Sequence, residues 1–119
     1  NKVIILHCVS AYPCLAKNIN LPKISKLKNL CNSVGYSGHY LGIDDAVASL
    51  NYGVNYIEKH FTIDRNLPGR DNKFAILPNE LKDLKNFSIF YKKANNFRGK
   101  NFLKCEIEAR KLYRGRWGI

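Results

Sequence analysis

The chain has 119 residues, the usual size of one domain, and 45% of them are hydrophobic, which excludes an intrinsically disordered protein. Twenty Lys and Arg stand against nine Asp and Glu, for a net charge of +11, and no apolar run approaches the ~18 residues of a membrane span. The four cysteines form no Cys-x-x-Cys pair, which argues against a zinc knuckle, and such free thiols suit a reducing cytoplasm.

The first predicted unit is a strand, a loop and a helix. Residues 3–8 are a short continuous apolar run, which predicts a strand buried on both faces. A polar loop over residues 10–20 follows. A helix is expected next, because apolar residues recur at helical spacing at Leu21, Ile24, Leu27 and Leu30.

Two further units of the same kind are predicted. A short strand at residues 33–36 precedes a helix that starts near Asp44 and Asp45 and ends at Gly53. A third strand at residues 54–61 leads through a long loop to a helix over residues 78–94. Strand, loop and helix repeated three times predict an α/β fold with a parallel sheet, whose carboxyl edge is where sites are built.

The C-terminal part of the chain is strongly basic. Residues 82–119 carry eleven Lys and Arg against three Asp and Glu. We interpret this charge as a solvated helix face followed, over residues 101–119, by a short helix and linker. A basic tail is also typical of nucleic-acid binding, but the chain has no recognised motif and no interleaved aromatic platform for it. The sequence therefore favours a chain without a nucleic-acid partner, and the lack of a long apolar run predicts no membrane partner.

All three histidines fall at or near predicted strand ends. His7 stands at the end of the first strand, His39 comes after the second and His60 comes at the end of the third, so their side chains can converge at one rim of a parallel sheet. Neutral imidazoles suit Mn, Fe, Co or Zn, and carboxylate or water ligands would favour Mn. Each histidine could equally be a satisfied structural residue. Strand alternation places Glu58 on the same side as His60 and Lys59 on the other.

Four short motifs resemble the sialic acid synthase family in order and approximate spacing. They are His7-Cys8-Val9-Ser10-Ala11-Tyr12-Pro13, Gly35-Tyr36-Ser37-Gly38-His39-Tyr40-Leu41-Gly42, Ile57-Glu58-Lys59-His60-Phe61-Thr62 and Leu67-Pro68-Gly69-Arg70-Asp71. The family includes the synthases of N-acetylneuraminate, legionaminate and pseudaminate, and related spore-coat polysaccharide enzymes.

The resemblance implies that residues 1–100 are the last three βα units of a (β/α)₈ TIM barrel. Residues 101–119 would lead towards a C-terminal antifreeze-like domain that is absent from the chain. Such a barrel belongs to a cytoplasmic transferase, a homodimer when complete, that condenses phosphoenolpyruvate with an N-acylated aminosugar such as N-acetylmannosamine. The product is a nine-carbon 2-keto sugar acid, and phosphate is released.

The same match implies roles for individual residues. His39 and His60 would bind a divalent metal, typically Mn. Ser37 would contact phosphoenolpyruvate. Tyr12 and Asp71 would act at the catalytic centre and, together with Ser10, would face the sugar or the bound intermediate.

The chain departs from the family pattern at two motif positions and in extent. Gly38 stands where the family usually has Asp, and Arg70 where it usually has Pro. The loss of a carboxylate beside a ligand could weaken metal binding, and Arg70 could pair with Asp71. The strands with the family's phosphate-binding Lys and catalytic Glu are missing, so the 119 residues alone are expected to be inactive. The alternatives are a non-catalytic remnant of a truncated barrel and a basic nucleic-acid-binding module.

Overall fold

A parallel three-stranded sheet, in the order β1-β2-β3, organises the computed structural model, which describes residues 3–115. The strands are β1 (Ile5–Cys8), β2 (Val34–Gly38) and β3 (Tyr56–Lys59). His7 pairs with Tyr36 across β1 and β2, and Ser37 pairs with Glu58 across β2 and β3. The α/β class, the three strands and their parallel direction are therefore confirmed.

The helices follow the strands as the sequence predicts. α1 (Lys23–Leu27) and α2 (Asp44–Ser49) are short, and a 3₁₀ turn extends α2 to Gly53, whose φ of 64° ends it in the left-handed region. α3 (Pro78–Ala94) has the predicted bounds. Proline at its start and a Glu80 carboxylate that accepts from the Leu77 N–H stabilise its first turn.

The core lies on one face of the sheet. Ile24 from α1 and Val34 and Tyr36 from β2 are almost completely buried there, together with Cys14 and Ile19 from the loop after β1. On the other face the two edge strands are exposed, at Leu6 and Cys8 on β1 and at Tyr56 and Glu58 on β3, while the central strand is buried. We call this the bare face. The expectation that the first strand is buried on both faces is therefore wrong, because no element within residues 3–115 covers this strand on its second face.

The basic C-terminal segment is exposed throughout. Every residue from 92 to 115 is exposed, and the segment contains α4 (Ile107–Tyr113), the short helix that the sequence predicts. The guanidinium of Arg110 lies 3.6 Å from the centre of the Phe102 ring. Residues 116–119, which end the predicted linker, lie outside the described part of the chain. No helix within residues 3–115 is both long and apolar enough to span a membrane.

Candidate functional site

Four aromatic rings meet at the carboxyl edge of the sheet. His39 directly follows β2, His60 directly follows β3, and Tyr12 lies in the loop after β1. The ring centres of the two histidines are 5.3 Å apart, and Tyr12 lies 4.2 Å from His39. Phe74 completes the group at 5.0 Å from His60. We call these residues the four-ring cluster; three of its members were predicted as site residues.

Hydrogen bonds fix both histidines of the cluster. The carbonyl oxygen of His39 accepts from the Cys14 N–H, and that of His60 accepts from the Ile76 N–H, each at 2.8 Å. The His39 Nδ1 lies 2.9 Å from the Val9 carbonyl oxygen. Because a carbonyl only accepts, Nδ1 is the donor of this bond, and in the neutral ring Nε2 is the nitrogen with the lone pair. His39 is therefore held in the tautomer that can bind a metal through Nε2.

Asp71 lies beside the cluster and is partly open to solvent. Its Oδ2 is 3.6 Å from the His60 Nδ1, and its side chain is 56% exposed. Among the described residues it forms no ion pair with Arg70, so the pairing that the sequence suggested is not present. Within residues 3–115, no group of three or more His, Cys, Asp or Glu side chains is arranged to hold a metal ion. The group of residues at this edge contains two imidazoles, those of His39 and His60.

The two predicted serines lie apart from the four rings. The Ser37 hydroxyl donates to Glu58 Oε1 at 2.7 Å, between neighbouring strands. Ser10 is exposed in the loop after β1. Glu58 thus orients Ser37, a contact that the strand pattern alone does not reveal because it depends on the register of β2 against β3.

His7 does not join the other two histidines. Its ring is 2% exposed, and its Nε2 donates to the Ile19 carbonyl at 2.7 Å. The ring lies 5.9 Å from that of Tyr36, on the face of the sheet that the core covers. The expectation of three converging histidines is therefore wrong for His7. It lies within β1, where alternation turns its side chain towards the core.

A buried ionic cluster on the core side of the sheet was not foreseen. The Lys59 ammonium donates to both carboxylate oxygens of Asp45 at 3.1 Å and to the Tyr40 carbonyl at 2.7 Å. The Tyr36 hydroxyl donates to Asp45 Oδ2 at 2.9 Å. Burial and the negative charge of Asp45 raise the pKa of Tyr36. The sequence had assigned Asp45 only to the start of a helix, and the alternation that turns Lys59 away from His60 was the one available signal.

The loop that carries Asp71 is anchored by an arginine. The Arg65 Nε donates to the Ala75 carbonyl at 3.0 Å, and its Nη2 donates to Glu80 Oε2 at 2.6 Å. Burial acts to raise the pKa of Glu80, but hydrogen bonds from Arg65 and the Leu77 N–H outweigh it and lower that pKa. The anchor fixes the segment in which Phe74, 4% exposed, reaches the four-ring cluster.

Comparison with known proteins assigns this arrangement to one family. The model of the NeuB family matches residues 1–98. The chain is 41% identical over 83 residues to the N,N'-diacetyllegionaminic acid synthase of Campylobacter jejuni, and 35% identical over 104 residues to the human N-acetylneuraminate-9-phosphate synthase. These matches cover 69% and 86% of the chain but 25% and 29% of the two relatives, so the chain spans about a quarter of their length.

Solved structures agree. The fold resembles the N-acetylneuraminic acid synthetase of Leptospira borgpetersenii with a TM-score of 0.78 and 32% identity, over 98% of this chain and 41% of that one. A spore coat polysaccharide biosynthesis protein of Bacillus subtilis gives a TM-score of 0.65 at 31% identity, over 90% of this chain and 34% of the other.

Proposed function

The chain belongs to the NeuB family, and we propose that it forms one part of the active site of a sialic acid synthase-type enzyme. The complete protein would condense phosphoenolpyruvate with an N-acylated aminosugar such as N-acetylmannosamine. The three βα units described here would be the last three of a (β/α)₈ barrel, in which the remaining strands cover the bare face of the sheet.

One observation carries the proposal: His39, His60 and Tyr12 meet at the carboxyl edge of three parallel strands, with Asp71 beside them. Sites in parallel α/β folds form at this edge, where loops from neighbouring strands converge. The relatives that share these strands are named as synthases of sialic and legionaminic acids. The geometry therefore supports a substrate site at this edge.

The two imidazoles fit a divalent metal. The hydrogen bond from His39 Nδ1 to the Val9 carbonyl leaves Nε2 free, and His60 lies within 5.3 Å, ring centre to ring centre. With two nitrogen ligands and the remaining positions open to water or substrate oxygen, the donor set favours Mn. When bound, such an ion would supply Lewis-acid polarisation of the sugar aldehyde.

The chain's own side chains would bind and orient the substrates. Asp71, half-exposed beside His60, can accept hydrogen bonds from sugar hydroxyls, and the Tyr12 ring forms a wall of the same site. Ser10 is exposed in the neighbouring loop. Ser37, oriented by Glu58, lies on the bare face, where phosphoenolpyruvate would bind.

The reaction needs no oxidant or reductant. The terminal carbon of phosphoenolpyruvate bonds to the aldehyde carbon, and the aldehyde oxygen takes up a proton to become a hydroxyl. Water adds to the neighbouring carbon, the bond from that carbon to the phosphate oxygen breaks, and loss of a proton leaves the keto group. Alignment of two reacting groups can account for about 7–11 kcal/mol of a reaction barrier. A cytoplasmic homodimer is the expected form of the complete enzyme.

The test replaces the matched segment of the Campylobacter synthase with this chain. Phosphate release from phosphoenolpyruvate and an N-acylated aminosugar is then measured with Mn present. We expect turnover by the chimera and none by the 119 residues alone. His60→Ala should lower the chimera's rate by about a hundredfold or more, because Lewis-acid stabilisation is worth several kcal/mol.

His7→Asn is the matched control, since His7 is a histidine on the opposite face of the sheet. Its activity, corrected for the folded fraction, should stay close to that of the chimera. Full activity in a folded His60→Ala chimera would refute the role of the histidines. Turnover by the 119-residue chain alone would refute the proposal that the active site also needs residues from the rest of the barrel.

A further inference from the structure

The ionic cluster formed by Lys59, Asp45 and Tyr36 connects the backbone segments of the two site histidines. Lys59 immediately precedes His60, and its ammonium donates at 2.7 Å to the carbonyl of Tyr40, the residue that follows His39. One side chain therefore joins the end of β3 to the segment just past β2. The same ammonium is held by Asp45 at the start of α2.

The side chains of the cluster are buried. The side chains of Lys59 and Asp45 are 3% and 0% exposed. Among the described residues, no buried side-chain nitrogen or oxygen lacks a hydrogen-bond partner, so each polar group of the cluster is satisfied. A buried ion pair seldom stabilises a fold more than an apolar pair of similar volume would. Stability alone is thus a weak reason for three polar side chains at this place.

Gly38 has no side chain, and the cluster occupies the space that a side chain there would fill. A Cβ at this position would lie well inside contact distance of Asp45 Oδ2 and 2.7 Å from Tyr36 Cε1. The backbone of Gly38 does not need glycine for its conformation, since it is not among the residues with positive φ. The absence of a side chain here is therefore explained by the cluster, directly beside His39.

We infer that Lys59 and Asp45 are positioning residues that set the spacing of the His39 and His60 rings. The inference deepens the proposed function and rests on it for its purpose, since spacing matters only if the two rings act together. The bond from the Lys59 ammonium to the Tyr40 carbonyl joins the residue before His60 to the residue after His39. The hydrogen bond from the His39 ring to the Val9 carbonyl holds the ring itself.

The experiment compares the 119-residue chain with an apolar replacement of the whole cluster, Asp45→Leu with Lys59→Met and Tyr36→Phe. This replacement leaves no unpaired buried charge, so it is expected to fold. Two measurements are made: the nuclear Overhauser effect between the His39 and His60 ring protons in metal-free, histidine-labelled chain, and a Co²⁺ titration followed by visible absorption. With three histidines in the chain, the ring signals are few.

In the replacement variant we expect a weaker ring-to-ring Overhauser effect, an altered Co²⁺ spectrum and a Co²⁺ affinity reduced about tenfold or more. Ile24→Val is the control for general loss of packing, because Ile24 is fully buried between α1 and the sheet. It should lower stability and leave both measurements unchanged. A folded replacement variant with the unmodified Overhauser effect would overturn the inference.

The two proposals fail in different ways. If the unmodified chain shows the Overhauser effect but binds no Co²⁺ through His60, as judged by His60→Ala, the metal role in the proposed function fails while the positioning role stands. If the unmodified chain lacks the Overhauser effect, the cluster does not hold the rings together and the positioning role fails.

Discussion

Gly38→Ala should destabilise the chain far more than the addition of one methyl group usually does. The added Cβ would require the Asp45 carboxylate to move by roughly 1 Å to reach ordinary contact distance, and the Tyr36 ring to move as well. Hydrogen bonds of 2.9 and 3.1 Å would not survive such a displacement. Breaking a buried ion pair costs about 3–5 kcal/mol, because the two charges lose each other inside the fold without gaining water.

The assay is urea unfolding of the chain, followed by far-ultraviolet circular dichroism. Gly42→Ala is the matched control: a Cβ there meets nothing within 4 Å, but the φ of 95° disfavours any side chain. It should cost about 1–2 kcal/mol from the backbone alone. If Gly38→Ala costs no more than Gly42→Ala, the steric argument is wrong and the cluster tolerates a neighbour.

Two other predictions concern ionisation and reactivity. The hydrogen bonds of Glu80 lower its pKa below the ordinary value of 4.5. Its ionised form therefore stabilises the fold fully at pH values above 4.5, and this contribution is lost as the pH falls through the lowered pKa. The stability difference between the chain and Glu80→Gln, measured by urea unfolding from pH 7 to pH 3, should therefore shrink towards acid pH; a constant difference would contradict this. Cys14 is 3% exposed, and burial raises its pKa, whereas Cys105 is exposed. Iodoacetamide should therefore modify Cys105 before Cys14, as peptide mass spectrometry would show, and equal rates at these two cysteines would count against the described core.

Local signals in the sequence predicted the elements well. α3 has its predicted bounds because a proline start, an acidic first turn and apolar spacing all point to the same helix. The second strand runs to Gly38, two residues beyond its predicted end. The small residues Ser37 and Gly38 give no strand signal in the sequence, but both pair with β3. The spacing of apolar residues in the sequence shows which face a side chain takes. The length of a strand also depends on the backbone groups of the neighbouring strand, which the spacing does not show.

The site was predictable in part. His39, His60 and Tyr12 lie together as expected, because residues at the ends of neighbouring parallel strands share an edge. Phe74 and Asp45 were not predicted to contact the site residues, because each meets its partner only through the tertiary fold. An Asp fourteen residues from a Lys has no local pattern that announces the pair.

The bare face of the sheet has a consequence for mutational scanning. Leu6, Tyr56 and Glu58 are exposed on this face, and substitutions at exposed positions usually change stability by less than about 0.5 kcal/mol. A scan that selects only for the folded 119-residue chain would thus score alternate strand positions as tolerant. The same positions scored in a complete barrel would be intolerant, and the difference between the two scans would map which side chains serve assembly rather than local folding.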